Sequence, residues 1–308
     1  MTMSMPITPQ PQAKKLAEAL GLKTALYLKR EDLHPYGSHK GRSIPLMIKM
    51  YAKDGIREFV ISSSGNAALT AIRIIAQHNK NNPSKKINLT IFVGENILND
   101  KLNTLKQEVR SPKSEVQLVQ VPRPKQSAFQ MEKEAGNTTK LLRQSTDDRA
   151  LEGYQELAHE LDKIKNLQAI FIPTSSGTTA QALGEIFQTL DQDPQIHIVQ
   201  TESCHPMVEE YPPLLAKEGL GEVKQSIASA IVDRVAHRKD KVVEVVKASG
   251  GAGWIVTDDE IKEAVKLAKQ TINLDISPNS ALAVAGLKKA VAGGFSFSGP
   301  VVCLITGA

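Results

Sequence analysis

A chain of 308 residues exceeds what one hydrophobic core normally supports, so one large domain or two interlocked ones is expected. Apolar residues at 41% and charged residues at 23% lie near globular averages, which excludes a disordered, collagen-like or coiled-coil chain. The formal charge of +5 arises from 38 basic against 33 acidic residues without a long basic run or basic-aromatic interleaving, which argues against nucleic-acid binding and suits a site for a small anion.

The elements follow in chain order. Residues 12–20 form a short amphipathic helix stopped by Gly21, and Ala25–Lys29 is a strand. A turn of Pro35, Tyr36, Gly37 and Ser38 then leads into a helix that starts near Lys40 and ends at Gly55, with Pro45 tolerable only close to the first turn. Glu58–Ser62 is an apolar strand, followed by a small-residue loop and an apolar helix starting at Ala67. The same order repeats with a strand over Ile87–Val93, a helix over Asp100–Val109, a strand over Val116–Val121 and a helix over Ser127–Ala135 closed by Gly136. One long helix is predicted over Asp147–Leu161, a strand over Ala169–Ile172, a small-residue loop over Thr174–Thr179, a helix over Ala180–Leu190 and a strand over Ile196–Gln200. From Pro206 to about Lys247 the pattern blurs, and loops with one irregular excursion are expected. Thr257 and Glu260 form a capping box at the start of the next helix, Ser280–Ala292 is the last helix, and a final strand ends at Thr306-Gly307. Strands alternating with helices predict an α/β protein of two domains, each a mostly parallel sheet covered by helices.

Two cysteines, Cys204 and Cys303, lie far apart without metal-ligand spacing, so neither a disulfide framework nor a metal site is expected. The N-terminus carries no basic region followed by an apolar run, and no apolar stretch is long enough to span a bilayer. A cytoplasmic protein with no membrane association is the resulting expectation.

Lys40 draws attention because a lysine at a helix N-terminus meets the positive end of the helix dipole, which disfavours its ammonium form and leaves more free amine. Such an amine is a nucleophile for carbonyl groups. Taken alone it reads as a solvated surface lysine. Three strand ends carry small polar residues: Ser62–Asn66, Thr174–Thr179 and Thr306-Gly307. In parallel sheets ligands bind beyond the carboxyl ends of strands, where helix starts present N–H groups. Each of the three is by itself also an ordinary turn with capping hydroxyls. Together they divide the work of one ligand. Ser175, Ser176, Gly177, Thr178 and Thr179 supply hydroxyls and amides for a phosphate, while Ser63, Ser64 and Gly65 suit a carboxylate and Asn66 a ring oxygen. Thr306 suits a ring nitrogen. An amine, two anion cradles and a ring contact describe pyridoxal 5′-phosphate with an amino-acid substrate.

On these motifs the chain resembles the fold type II, or tryptophan-synthase-β-like, family of pyridoxal-phosphate enzymes. G-S-H-K-G-R resembles the family's cofactor-lysine motif, S-S-G-N-A-A its substrate-carboxylate loop, S-S-G-T-T its phosphate loop and V-C-L-I-T-G-A its C-terminal stretch. The phosphate loop carries one glycine where relatives usually have more. The resemblance implies that Lys40 holds the cofactor and removes the substrate α-proton, with Asn66 on the phenolic oxygen and Thr306 facing the pyridine nitrogen. It implies a cofactor in the cleft between a large domain of residues 1–42 and 141–308 and a smaller mobile one of 43–140, in a homodimer. R-A-L-E-G-Y-Q-E-L-A and S-P-N-S-A-L-A-V-A-G resemble threonine synthase, so conversion of O-phosphohomoserine to threonine and phosphate is the leading expectation. A serine or threonine ammonia-lyase, a cysteine-synthase-like β-replacement enzyme, a catalytically idle binding protein and a nucleotide-binding regulator remain alternatives. His34 and His39 are read as turn or surface residues, Cys204 and Trp254 as packing. Arg42 either binds a substrate anion or pairs with Glu31 or Asp32.

Overall fold

The computed structural model describes residues 7–109, 115–208 and 226–307. The expected loop P-P-L-L-A-K-E-G-L-G, over 212–221, lies outside the described residues, as do residues 1–6 and Ala308. In chain order the elements are α1 (Lys14–Ala19), β1 (Leu26–Arg30), α2 (Lys40–Lys53), β2 (Glu58–Ser62), α3 (Asn66–Asn81), β3 (Asn88–Gly94), α4 (Asn99–Glu108), β4 (Val116–Val121) and α5 (Pro124–Ala135). There follow β5 (Thr139–Leu141), α6 (Arg149–Glu152), α7 (Gln155–Asp162), β6 (Ala169–Pro173), α8 (Thr178–Phe187), β7 (Gln195–Thr201), α9 (Lys239–Ala248), β8 (Gly253–Val256), α10 (Asp258–Ile272), α11 (Pro278–Ala292) and β9 (Val301–Ile305).

Five of these differ from the sequence expectation. The helix predicted over Asp147–Leu161 is two helices, α6 and α7, broken at Gly153. A Cβ on Gly153 would lie 2.4 Å from the Arg42 carbonyl oxygen and 2.5 Å from Ser43 Cα, so α6 approaches the first turn of α2 as closely as backbones allow. The charged stretch before Lys247 contains α9, which buries Val242, Val245 and Val246 at helical spacing and leaves its lysines and acids outside. The short strands β5 and β8 complete sheet edges. Pro45 sits in the second turn of α2 and the helix continues through it. The capping box is present, with Glu260 N–H donating to Thr257 Oγ1 at 3.2 Å and Thr257 N–H donating to Glu260 Oε2 at 2.7 Å.

The chain divides into two compact units, one of Met1–His34 with Tyr154–Ala308 and one of Pro35–Gly153. The expected crossings were at 42/43 and 140/141. On the observed division the Lys40 segment groups with the smaller unit, because α2 packs on α3 and α6.

In the larger unit five parallel strands run in the order β1-β9-β6-β7-β8. Leu26, Leu28, Phe171, Val199, Val301, Cys303 and Ile305 point into the core shared with α1, α10 and α11. Their alternates Ile170, Ile172, Ile198, Val302 and Leu304 are buried too, as a sheet covered on both faces requires. Each such aliphatic side chain contributes roughly 1.5–3 kcal/mol relative to exposure. Lys29, fully buried on β1, forms a short ion pair with Glu160 of α7 and donates to the Thr8 carbonyl at 2.8 Å, which ties the N-terminal segment to both elements.

In the smaller unit four parallel strands run in the order β4-β3-β2-β5. Phe59 and Ile61 of β2 pack with α2 and α3, whereas Val60 between them packs with Ala128 of α5 and Leu141 of β5. The period of two in β2 therefore sets which helix covers which face. Among the described residues no helix is long and apolar enough to cross a membrane.

Candidate active site

Each sheet has one position where strand order reverses, and ligands in parallel α/β sheets settle beyond the carboxyl ends of strands at such positions. In the larger unit the chain runs from β6 to β7 and β8, then returns to place β9 on the other side of β6. The loop after β6 and the residue after β9 are therefore neighbours: Thr174–Gly177 and Thr306. In the smaller unit the chain runs from β2 to β3 and β4, then returns to place β5 on the other side of β2. The loop leaving β2 there is Ser63–Gly65.

Gly177 is the N-cap of α8 with a left-handed backbone, φ +81°, and no side chain caps that helix. A Cβ on it would lie 2.6 Å from Val242 Cγ2 and 2.9 Å from Met207 Cε, so both conformation and space require glycine. Ser176 and Thr178 hydroxyls lie 3.0 Å apart. Ser175 Oγ accepts the N–H groups of Val232 and Asp233 at 3.2 and 3.3 Å, which fastens the loop to the segment entering α9 and leaves its own O–H to donate. Thr179 is buried in the first turn of α8. Thr174 turns inward instead, its hydroxyl donating to the Ile172 carbonyl at 2.8 Å. Thr306 is buried at the tip of β9, and the next residue is latched by α11. Ser277 and Ser280 hydroxyls donate to the Gly307 carbonyl at 2.5 and 3.0 Å, and Gly307 N–H donates back to Ser280 Oγ at 3.2 Å.

In the smaller unit α3 starts at Asn66 with Gly65 as N-cap, again without a side-chain cap. Gly65 N–H donates to Ser63 Oγ at 3.3 Å, and a Cβ on Gly65 would meet no atom within 4 Å. Ser63, Ser64, Gly65 and Asn66 are all partly exposed. Lys40 is the first residue of α2, as its turn implied, and Ser38 rather than the N-cap His39 supplies the oxygen there. Ser38 Oγ accepts Lys40 N–H at 3.3 Å and its carbonyl accepts Gly41 N–H at 2.9 Å.

Neither the first turn of α8 nor that of α3 carries an acidic side chain, and neither helix has a side-chain cap, so the positive helix ends suit an anion. Hydroxyls, uncapped amides and the glycine-lined starts fit a phosphate in the larger unit and a carboxylate in the smaller one.

Several residues stand elsewhere than expected. His34 lies at the turn, as read, but buried rather than on the surface, its backbone N–H donating to the Glu31 carbonyl at 3.1 Å. Asp32 is held by Arg30 at 2.7 Å, and Arg42 is fully buried. Cys204 and Trp254 belong to the core cluster, as read. Sequence reasoning missed Ser277 and Ser280 as a latch although S-P-N-S was visible. It also missed Gln144, a buried residue beyond β5 whose amide donates to Ser43 of α2.

The family model described as pyridoxal-phosphate dependent enzyme matches residues 2–307. Threonine synthase of Methanocaldococcus jannaschii is 25% identical over 311 residues, covering 97% of this chain and 74% of the relative. The mouse L-serine dehydratase/L-threonine deaminase is 42% identical over 62 residues, which are 20% of this chain and 18% of that protein. Among solved structures, a pyridoxal 5′-phosphate-dependent aspartate racemase superposes with a TM-score of 0.82 at 17% identity, over 100% of this chain and 91% of the racemase.

Proposed function

Since the chain belongs to the family of pyridoxal-phosphate dependent enzymes, we propose that it performs elimination or replacement on an amino acid, with O-phosphohomoserine and water converted to threonine and phosphate as its reaction. The observation that carries this choice is span: likeness to threonine synthase runs through 97% of the chain, whereas likeness to the deaminase is confined to 20%.

In this reading Lys40 holds the cofactor and moves the proton at the substrate α-carbon. Asn66 bonds the cofactor's ring oxygen, and Ser63, Ser64 and Gly65 hold the substrate carboxylate at the start of α3. Ser175, Ser176, Gly177, Thr178 and Thr179 hold the phosphate at the start of α8. Thr306 offers the ring nitrogen a neutral hydroxyl, which forms a hydrogen bond without giving up a proton. When bound, the cofactor supplies an electron sink for the negative charge that develops at the α-carbon. The same reading makes the protein a cytoplasmic homodimer, which sedimentation of the loaded enzyme tests.

The test is a titration of the loaded protein with serine, threonine, O-acetylserine and O-phosphohomoserine, following visible absorbance and released phosphate. O-phosphohomoserine should shift the spectrum and release phosphate; ammonia released from serine or threonine instead would favour the ammonia-lyase reading that the 62-residue match supports. Lys40→Ala should lower turnover by about 10³-fold or more. Activity surviving that change would overturn the assignment of Lys40.

A further inference from the structure

We infer that Arg73 is a positioning residue for Lys40, fixing the turn that presents it to chemistry. The inference rests on the reading that Lys40 carries the cofactor, and the contacts that support it lie within the smaller unit. Arg73 stands on α3, the helix whose first residue is Asn66. Its Nη1 donates to the carbonyl of Tyr36 at 3.1 Å, four residues before Lys40. The rest of the guanidinium is spoken for: Nε and Nη2 donate to Glu108 Oε1 of α4 at 3.2 and 2.5 Å. A planar fork held on one side by a carboxylate can present its remaining donor in only a narrow range of directions.

One turn further along α3, Gln77 Oε1 accepts the Tyr36 hydroxyl at 2.7 Å. Arg73 and Gln77 are four residues apart and so share a helix face, which grips Tyr36 by both main chain and side chain. The grip is close, since a Cβ on Gly37, at φ +82°, would lie 3.3 Å from Arg73 Nη1. Between Tyr36 and Lys40 remain Gly37, Ser38 and His39. Ser38 is fully buried and bonded to the N–H groups of Lys40 and Gly41. Little slack is left between the α3 face and the first residue of α2. The ion pair that orients Arg73 is about one-third exposed on each side, 34% and 30%, so its contribution to global stability is small. Its removal should leave the fold intact and loosen the turn.

The experiment is competitive acetylation of the cofactor-free protein across pH, read lysine by lysine by mass spectrometry, together with equilibrium binding of pyridoxal phosphate. In Arg73→Met the acetylation profile of Lys40 should move toward that of exposed Lys53, whose own profile stays fixed, and cofactor binding should weaken about tenfold. Arg73→Lys, which keeps a charged donor, should recover part of both. A folded Arg73→Met protein with an unchanged Lys40 profile and unchanged binding overturns the proposal. Should Arg73→Met not fold, Tyr36→Phe, which removes the hydrogen bond to Gln77, should give a smaller shift in the same direction, and no shift in that variant is equally fatal. Borohydride trapping of the cofactor on a lysine other than Lys40 would instead overturn the functional reading, while the acetylation profiles would still decide the positioning.

Discussion

His197, on β7, shows how much a single buried residue can constrain behaviour. Its Nδ1 accepts the Trp254 indole N–H at 3.1 Å, so Nε2 carries the hydrogen and donates to Gln195 Oε1 at 3.2 Å. The ring stacks on Phe171, 4.4 Å between centroids and 7° between planes, and meets Phe295 and Phe297 edge-on. Burial lowers its pKa from 6.5 to about 3. The folded state holds the neutral ring, while the unfolded chain takes up a proton below its ordinary value, so unfolding is favoured as pH falls. Stability should be insensitive to this group above pH 6.5 and should drop by about 1.4 kcal/mol per unit below it, reaching roughly 4–5 kcal/mol by pH 3. Urea unfolding at pH 7, 5.5 and 4 reads the slope, and His197→Phe should remove about one proton of it. At this scale the sequence was most legible where polarity marked a residue, as with Lys40 after its turn and the hydroxyls of Ser175–Thr179. Arg73 and Ser280 were silent because their partners are backbone carbonyls of distant residues, which carry no side-chain signature.

Where elements meet, Gly153 at the end of α6 lies against the backbone of the first turn of α2, the helix that Lys40 opens. Gly153→Ala would drive a methyl group against the Arg42 carbonyl at 2.4 Å and the Arg42 carbonyl carbon at 2.8 Å, and neither is a side chain that can swing away. The first turn of α2 would have to move. We expect a loss of about 1–3 kcal/mol in stability and a weaker hold on pyridoxal phosphate, measurable as a lower melting point and a raised dissociation constant in the same variant. An unchanged melting point would mean that α6 yields freely. One long helix was expected over Asp147–Leu161 because helical periodicity continues past Gly153, and periodicity does not encode the close approach of Gly153 to α2. α9 was hidden for a different reason. Its four valines favour strands by intrinsic preference, and the charges around Arg238–Lys241 resemble a loop until the stripe Val242, Val245, Val246 is set against α8. β5, with three residues, was too short to show a period.

For the molecule as a whole, the cofactor should be a folding ligand as well as a reagent. Anything bound by the native state alone stabilises it by mass action, by about 2.7 kcal/mol at a free concentration one hundred times its dissociation constant. Stripping the protein with a carbonyl reagent and dialysing should therefore lower the melting point, and added pyridoxal phosphate should restore it in a concentration-dependent way. Pyridoxal, which lacks the phosphate that the proposed function seats at the α8 start, should restore it less. The alternation of strands and helices made the two parallel sheets legible from sequence, since runs such as Ala169–Ile172 are apolar on both faces. Strand order was not, because it is fixed by the return of the chain from β8 to β9. That return has a consequence for synthesis. β1 is complete at Arg30, yet the strand it pairs with, β9, begins at Val301. At roughly 5–20 residues per second, β1 waits about 14–54 s and β6 about 6–26 s for their shared neighbour. The four strands of the smaller unit all lie between Glu58 and Leu141, so its sheet can close long before. Nascent chains should pass through a stage with one finished sheet and one lacking an interior strand, when they would be most exposed to association and to chaperones.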